Sequence, residues 1–388
     1  MKMKYRHYTT VAILLLCLMS AMSCSTEKSL AFIEKPIEFV DAETSFRDTT
    51  YLDDMKMVRL ENNGSQSAIN NISRIIEIDD QLYIFDRMLN RITVFDNTGR
   101  FVRSINKMGH GKGEYVRLID VTYDRISKEL LCLAEPSSII HYTTDGDYVR
   151  TEKLDDYYTD ICCDESYIYL YHSTYADAQT PEFTISCKSK RNGTITELLP
   201  FTEEYAPFCS LGSKMFSDGS DVAFVRKFDH NIYHVSNAAI DSCFTMNMKS
   251  FEFPEEKLTK QYDCCELYEL CKKDKYIYMI TNLVRGKASF MFSSNLYGIH
   301  VAQPSSRYCR NYSYMTVSKY NLPLSLFVPV EGIKSRCCFV LNASSIMNFK
   351  NMYESDMRVK KTISAQFVED FEDVSEESNP TLFIYTVK

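Results

Sequence analysis

Short segments of hydrophobic and alternating residues, separated by turn residues, run along most of this chain. Four such segments follow one another closely near the start, at 72–78, 81–85, 91–95 and 101–105. They are separated by Asp79-Asp80 and, before the last of them, by DNTG at 96–99. Short runs rich in β-branched and aromatic residues with turn residues between them are typical of antiparallel strands. The sequence therefore predicts a four-stranded meander in this region.

The turn before the fourth segment recurs further along the chain. FDNTGRFVR at 95–103 matches YTTDGDYVR at 142–150, RNGTITEL follows at 191–198, and VSNAAIDSC at 235–243 is a weaker copy. Gly99, Gly146 and Gly193 are spaced by 47 residues. Glycine, asparagine and aspartate supply the positive φ angles that tight hairpins require. The spacing indicates a repeated structural unit.

The second segment of the unit recurs as well, as a short and nearly continuous apolar run. The copies are LYIF at 82–85, LLCL at 130–133, YIYL at 167–170, VAFV at 222–225, YIYM at 276–279 and CFVL at 338–341. Such runs suit strands that are buried on both faces. Six copies predict an all-β fold, a six-bladed β-propeller of four-stranded antiparallel blades.

Both ends of the chain carry an additional strand-like segment. MVRL at 57–60 precedes the first meander and could pair with it, and TLFIYTV at 381–387 could instead close the last blade. We expect the C-terminal TLFIYTV strand and the N-terminal strand near 57–60 to lie in the same blade. A ring that is closed by the N- and C-terminal strands has no exposed edge. Because no Pro/Gly/Ser-rich linker interrupts the chain, we expect a single propeller domain over 36–388.

The first residues have a different character. Residues 1–10 are basic, 11–19 are apolar, 20–23 are mostly small, and Cys24 follows. The pattern predicts a signal peptide over 1–23, with an apolar stretch too short to span a bilayer. It resembles the bacterial lipoprotein signal, in which this cysteine is lipidated, whereas ordinary cleavage would leave Cys24 without a role. Residues 24–35 then form a tether.

Composition and net charge reduce the number of function classes that are possible for this chain. With 45% apolar and 25% charged residues, the chain is typical of a soluble globular protein rather than a disordered one. A formal net charge of -8 argues against binding to the nucleic-acid backbone. Twelve cysteines follow Cys24 without a C-x-x-C motif or a zinc-type spacing. Most are expected to be buried free thiols, although disulfides form readily in exported chains.

The residues at 69–118, INNISRIIEIDDQLYIFDRMLNRITVFDNTGRFVRSINKMGHGKGEYVRL, resemble the six-bladed β-propeller lipoproteins of Gram-negative anaerobes, which are similar to NHL-repeat propellers. The end of the chain, SEESNPTLFIYTVK at 375–388, resembles the C-terminus of the same family. The resemblance implies the propeller fold and the lipid anchor at Cys24, and it implies no reaction. Lys112 departs from the family pattern, which usually has proline there.

No catalytic nucleophile motif, metal-binding cluster or cofactor motif is evident, and the chain contains no tryptophan. Four charged residues nevertheless occupy similar places in the first strands of successive units, namely Arg74, Asp120, Asp160 and Lys214. Alternation along a strand would direct them towards the axis, where we expect a wet channel. They could bind a polar ligand there, or neutralise one another.

We therefore expect a non-enzymatic binding or scaffold lipoprotein that recognises a peptide, a glycan or a protein. The alternatives are a hydrolase or lyase with a metal-dependent site at the channel mouth, and a structural subunit of an envelope complex. The expected location is the cell envelope, as a monomeric outer-membrane lipoprotein that faces the periplasm or the cell surface, without a cofactor and without nucleic acid.

The lipid anchor can be tested directly. Cys24→Ser removes the thiol that would carry the acyl chains, so we expect the protein to move from the membrane fraction to the soluble fraction. Mass spectrometry of the wild-type protein should find a modified Cys24 at its N-terminus. An unmodified Cys24, or cleavage at another position, would contradict the prediction.

Overall fold

The structure is a computed structural model that describes residues 36–388 apart from 174–179, 202–204, 207–208, 210–211, 219–220 and 297. Residues 34–388 form one compact unit. The predicted signal peptide, Cys24 and the tether over 24–35 lie outside the described residues.

Strands dominate the described part of the chain, and most of them fall into six four-stranded antiparallel units. The first three units are β3 (Arg74–Ile78), β4 (Gln81–Asp86), β5 (Arg91–Asp96) and β6 (Phe101–Ile105); β7 (Leu118–Asp124), β8 (Glu129–Ala134), β9 (Ser138–Thr143) and β10 (Tyr148–Lys153); and β11 (Tyr158–Cys163), β12 (Tyr167–His172), β13 (Phe183–Ser189) and β14 (Ile195–Pro200).

The remaining units follow the same order, except that the last one takes its outer strand from the N-terminal part. They are β15 (Met215–Ser217), β16 (Val222–Val225), β17 (Asn231–Ser236) and β18 (Ala239–Asn247); β19 (Ile280–Arg285), β20 (Phe290–Ser294), β21 (Ile299–Gln303) and β22 (Tyr308–Val317); and β24 (Phe327–Glu331), β25 (Arg336–Leu341), β26 (Thr381–Val387) and β2 (Leu52–Arg59). A short strand, β23 (Leu322–Leu324), pairs antiparallel with the end of β22.

The first strand of each unit lies beside the first strands of its neighbours, so that these six strands surround a common axis. Between the last unit and the first, the two inner strands also pair in parallel, with Val330 opposite Ile75. The prediction of an all-β propeller is confirmed.

The two ends of the chain meet in the last unit. β26 lies between β25 and β2, with Leu382 opposite both Val340 and Val58. The C-terminal segment is therefore an interior strand, and the N-terminal segment is the outer strand of the same unit. The prediction that the C-terminal strand and the segment near 57–60 share one blade is confirmed.

One strand was not predicted. β1 (Ile37–Arg47) lies between β18 and β22, the outer strands of the fourth and fifth units, and pairs in parallel with both. It joins these two units into one continuous sheet. The pattern of this segment gives no indication of its partners, because both of them lie more than 200 residues further along the chain.

The helices are insertions between strands. They are α1 (Asp48–Tyr51), α2 (Cys264–Asp274), α3 (Ala343–Ser355), α4 (Met357–Thr362) and α5 (Ala365–Asp370), with 3₁₀ turns at Lys249–Phe251 and Glu255–Lys257. The helices α3 to α5 separate β25 from β26 and bury Ile346, Ile363 and Phe367 against the fifth and last units.

One of the six apolar runs was assigned wrongly. YIYM at 276–279 is not the second strand of the fifth unit, which is β20 instead. The run leads from α2 into the inner strand β19, and Tyr278 and Met279 are buried against Leu267 and Cys271 of that helix. Its hydrophobicity therefore reflects the packing of an inserted helix.

The adjacent residues Cys162 and Cys163 lie on β11, where neighbouring side chains point to opposite faces. Cys162 packs between the third and fourth units, whereas Cys163 packs between the second and third. Of the twelve described cysteines, which are all free thiols, only Cys264 and Cys265 are exposed.

The three predicted turn glycines have φ angles of 92° at Gly99, 89° at Gly146 and 71° at Gly193, which is the left-handed region that favours glycine.

Candidate functional site: a charge cluster below a cleft

Two β-bulges orient the acidic side chains at the axis. In β7, Leu118 pairs with Ala134 but Asp120 pairs with Leu133, so one residue is left unpaired before the aspartate. The same irregularity precedes Asp160 in β11, between the pairs that Tyr158 and Asp160 form with β12. A bulge changes the direction of the side chain that follows it.

Each of these aspartates binds the inner strand of the next unit. The Oδ2 of Asp120 accepts a hydrogen bond from the backbone N–H of Ile161 at 3.0 Å. The Oδ1 of Asp160 accepts one from the backbone N–H of Lys214 at 2.9 Å. The second unit is thereby linked to the third, and the third to the fourth, by the same contact.

The guanidinium group of Arg74 lies between four units. Its Nε and Nη2 donate to Oδ1 and Oδ2 of Asp120 at 2.9 and 2.6 Å, in the paired geometry that arginine forms with carboxylates. Its Nη2 also donates to the Oγ of Ser213 at 2.8 Å, and its Nη1 donates to the Oε1 of Glu331. One side chain therefore connects the inner strands of the first, second and last units with the segment that precedes β15.

Glu331 is a member of the cluster that sequence reasoning missed. It is the last residue of β24, and the parallel pairing of β24 with β3 places it beside Arg74. Besides Arg74, its carboxylate accepts a hydrogen bond from the Oγ1 of Thr122 at 3.5 Å. The sequence feature that could have revealed Glu331 is FVPVE at 327–331, an apolar segment that ends in a charge before the CFVL run.

Lys214 lies one residue before β15 and completes the set of four predicted residues. Its Nζ lies 3.9 Å from the Oδ2 of Asp160, 3.3 Å from the Oγ1 of Thr159 and 4.0 Å from the centre of the Tyr171 ring. The hydroxyl of Ser213 donates to Asp160 at 3.2 Å and connects this pair to Arg74. The structure thus brings all four residues into one cluster.

The cluster is buried, which differs from the wet channel that the sequence argument assumed. Arg74, Asp120, Asp160 and Lys214 are 4%, 3%, 3% and 2% exposed. The charges are satisfied by one another and by backbone N–H groups, because a buried charge without partners would cost several kcal/mol. The side chains that were expected to line a channel therefore fill the axis at this level.

Burial and charge act differently on the members of the cluster. Burial raises the pKa of Glu331 to about 7, although Arg74 opposes the shift. Burial also raises the pKa of Asp120, again against Arg74. At Asp160 burial is outweighed by the charge and backbone N–H of Lys214, and the pKa is lowered. Burial would lower the pKa of Arg74, but Asp120 and Glu331 raise it well above its usual value. Glu331 is therefore partly protonated near neutral pH.

A cleft of about 430 Å³ opens over one end of the cluster. Asp120 and Ser213 belong both to the cluster and to the lining of the cleft. The polar lining also includes Asn70, Asn71, Ser73, Arg87 and Asn282, and the apolar lining includes Ile72, Leu326, Val328 and Val340. The positive charge of Arg87 opposes the rise in the pKa of Asp120 and contributes to the lowering of the pKa of Asp160.

Within the described residues, no group of three His, Cys, Asp or Glu side chains is arranged to hold a metal ion. No helix in the described part of the chain is long and apolar enough to cross a membrane.

The fold and the site define a β-propeller with a filled axis and an open cleft at one end. The chain belongs to the DUF4934 family, a domain of unknown function whose model matches residues 34–386. A search of curated proteins finds no match.

Solved structures share the fold at low sequence identity. A Bacteroides fragilis protein described as exported is 17% identical over 91% of this chain and 100% of its own, with a TM-score of 0.71. A member of the DUF4221 family from Bacteroides vulgatus is 8% identical over 87% of this chain and 97% of its own, with a TM-score of 0.50. At these identities the similarity concerns the fold alone.

Removing the central cation should destabilise the ring. Arg74→Met leaves Asp120 and Glu331 buried without their partner, and we expect the free energy of unfolding to fall by about 3–5 kcal/mol. The exposed Arg125, which lies outside the cleft, is the matched control, and Arg125→Met should change stability by less than about 0.5 kcal/mol. Urea denaturation followed by circular dichroism measures both. Equal stability of Arg74→Met and the wild type would contradict a structural role for the cluster.

The proton on Glu331 should make stability depend on pH. Because its pKa is about 7 in the folded protein and near 4.5 in the unfolded chain, the folded state binds more protons between these values. The stabilisation that comes from this proton is fully present below about pH 4.5 and is lost as the pH rises through 7. The free energy of unfolding then falls by at most about 1.4 kcal/mol for each pH unit.

Glu331→Gln imitates the protonated carboxyl group and does not titrate. We expect the wild type to lose stability relative to this variant between pH 5 and 7, and the difference to level off above pH 8. Urea denaturation at each pH measures the difference, with the exposed Glu165→Gln as control. Parallel pH curves for the wild type and Glu331→Gln would show that Glu331 titrates normally.

Proposed function

We propose that this protein is an exported, membrane-anchored propeller that binds a peptide bearing a carboxylate in the cleft at the end of its axis, without catalysing a reaction. The observation that carries the proposal is the cleft itself, because it combines a polar wall, an apolar wall and an arginine at the place where the inner strands begin. Concave sites with a few converging polar groups are typical ligand sites.

The polar wall suits a peptide backbone and an acid. Asn70, Asn71 and Asn282 offer amide donors and acceptors, and the structure records no side-chain hydrogen bond or ion pair of Arg87 among the described residues. Arg74 is engaged by its buried carboxylates, so Arg87 is the guanidinium group available to a ligand. Guanidinium groups bind carboxylates in a paired geometry.

The opposite wall suits an apolar side chain. Leu326 is 59% exposed beside Val328 and Val340, which are half-buried. A sugar ring would be served better by an exposed aromatic face, and the aromatic residue of this lining, Phe327, is 2% exposed. With no tryptophan in the chain, these features favour a peptide over a glycan.

The proposed cellular location rests on the signal-like N-terminal residues and on the similarity to one solved structure. The signal-like residues 1–23 and Cys24 support lipid attachment and an outer-membrane location facing the periplasm or the cell surface. The similarity to a Bacteroides fragilis protein described as exported supports export. We take the six strand units as six blades of an NHL-like ring that functions as a monomer. No observation favours the metal-dependent hydrolase or lyase that was the alternative.

The proposal is tested with a library of tetrapeptides that have free C-terminal carboxylates, and with the same library amidated. Purified full-length protein should retain members of the first library, as measured by affinity selection and mass spectrometry. Arg87→Gln should reduce this retention at least tenfold, because the guanidinium group that pairs with the carboxylate is lost.

The matched control is Arg125→Gln, which changes an exposed arginine outside the cleft and should leave retention unchanged. Equal retention of the amidated library, or retention that does not depend on Arg87, would contradict the carboxylate site. Selective binding of neutral oligosaccharides instead of peptides would overturn the proposed ligand class.

A further inference from the structure

Two cysteines that are distant in sequence face each other outside the ring of strands. The Sγ atoms of Cys209 and Cys264 lie 2.8 Å apart, although 55 positions separate the residues. Cys209 lies in the connection between β14 and β15 and is buried, whereas Cys264 is the first residue of α2 and is exposed. The pair therefore joins the connection before the fourth unit to the helix before the fifth.

Contacts other than the sulfur atoms hold both residues in place. The hydroxyl of Tyr278 donates to the carbonyl oxygen of Cys209 at 3.3 Å. Beside Cys264, the side chain of Asp263 caps α2 by accepting the backbone N–H of Glu266 at 2.8 Å. Cys209 also packs with Tyr262 and Leu267 in a small apolar cluster. Because the two thiols are positioned by independent interactions, their proximity is part of this fold.

We propose that Cys209 and Cys264 form a disulfide in the exported protein, an inference that rests on the proposed export. Exported compartments oxidise thiols, whereas the cytosol keeps them reduced. The exposed Cys264 at the surface reacts first, because burial raises the pKa of the Cys209 thiol to about 12 and leaves it protonated.

The chemistry is a thiol–disulfide exchange in two steps. The deprotonated Cys264 attacks the disulfide of an oxidised donor, a thiol–disulfide oxidoreductase or oxidised glutathione, and one donor sulfur leaves as a thiolate. Cys209 then loses its proton, attacks the Cys264 sulfur and releases the second donor sulfur. The two cysteines lose two protons and two electrons, and the donor disulfide is reduced to two thiols.

The cross-link would fix one wall of the ligand cleft. Gly212 and Ser213, which line the cleft, follow Cys209 by three and four residues. Ser213 also binds the guanidinium group of Arg74. A disulfide across 55 residues restricts the unfolded chain, which stabilises the folded state. Because of the position of this cross-link, the redox state of the two cysteines would affect the shape of the cleft.

The experiment uses purified full-length protein incubated with oxidised glutathione, alkylated and digested without reduction. We expect a linked peptide that contains residues 209 and 264, and a loss of two titratable thiols. Cys264→Ser should abolish this peptide. Cys265→Ser, which changes the other exposed thiol, should leave it intact. Dithiothreitol should lower the melting temperature of the oxidised wild type and of Cys265→Ser by about 3–8 °C, and should leave Cys264→Ser unchanged.

A second arm maps the protein isolated from its own cells after thiols are blocked at lysis. The linked peptide in that sample supports the proposal. If oxidised glutathione yields no link between residues 209 and 264, or links Cys209 to Cys271 instead, the pairing is wrong. If the link forms with oxidised glutathione but is missing from the cellular protein, the pairing in the cell is overturned and the proposed export is contradicted, while peptide binding in the cleft is unaffected.

Discussion

The contacts of the Arg74 guanidinium group are the constraint on which the centre of this propeller depends. Inner strands that surround an axis bring their polar backbone and side chains close together, away from water. One planar cation with five donors can satisfy acceptors from several directions at once. Asp120, Glu331 and Ser213 use those donors, and the strands that carry them are thereby fixed relative to one another. Around this polar centre, the spaces between neighbouring units are filled by apolar side chains.

The cluster also explains why the proposed ligand site lies at the end of the axis and not on it. Charges that are 2–4% exposed and bound to one another are not available to a ligand without the loss of their own contacts. The cleft above them is open. Because Asp120 belongs both to the cluster and to the lining of the cleft, the charge of the cluster acts on the floor of the cleft. Because burial raises the pKa of Glu331 to about 7, the charge of the cluster below the cleft changes near neutral pH.

The periphery is built from insertions that the repeat does not require. The strand β1 joins two units, the helices α3 to α5 cover the boundary between the last two, and α2 brings Cys264 to Cys209. The helices α3 to α5 bury apolar side chains against strands of the last two units, whereas α2 packs on the connections that flank it. Such additions are tolerated where the chain passes from one unit to the next, since the pairing within a unit is left intact.

The sequence by itself determined the repeat, because alternation, turn residues and apolar runs are local properties that act over a few residues. It also placed charge on the inner strands at Arg74, Asp120 and Asp160 and, one residue before an inner strand, at Lys214, since a charged side chain within an apolar strand needs water or charged partners. Only the tertiary structure decided that these charges bind one another, that Glu331 joins them through a parallel pairing of the first and last units, and that YIYM packs on a helix. Those outcomes depend on contacts between residues that are far apart in the chain, and a local pattern carries no information about its distant partner.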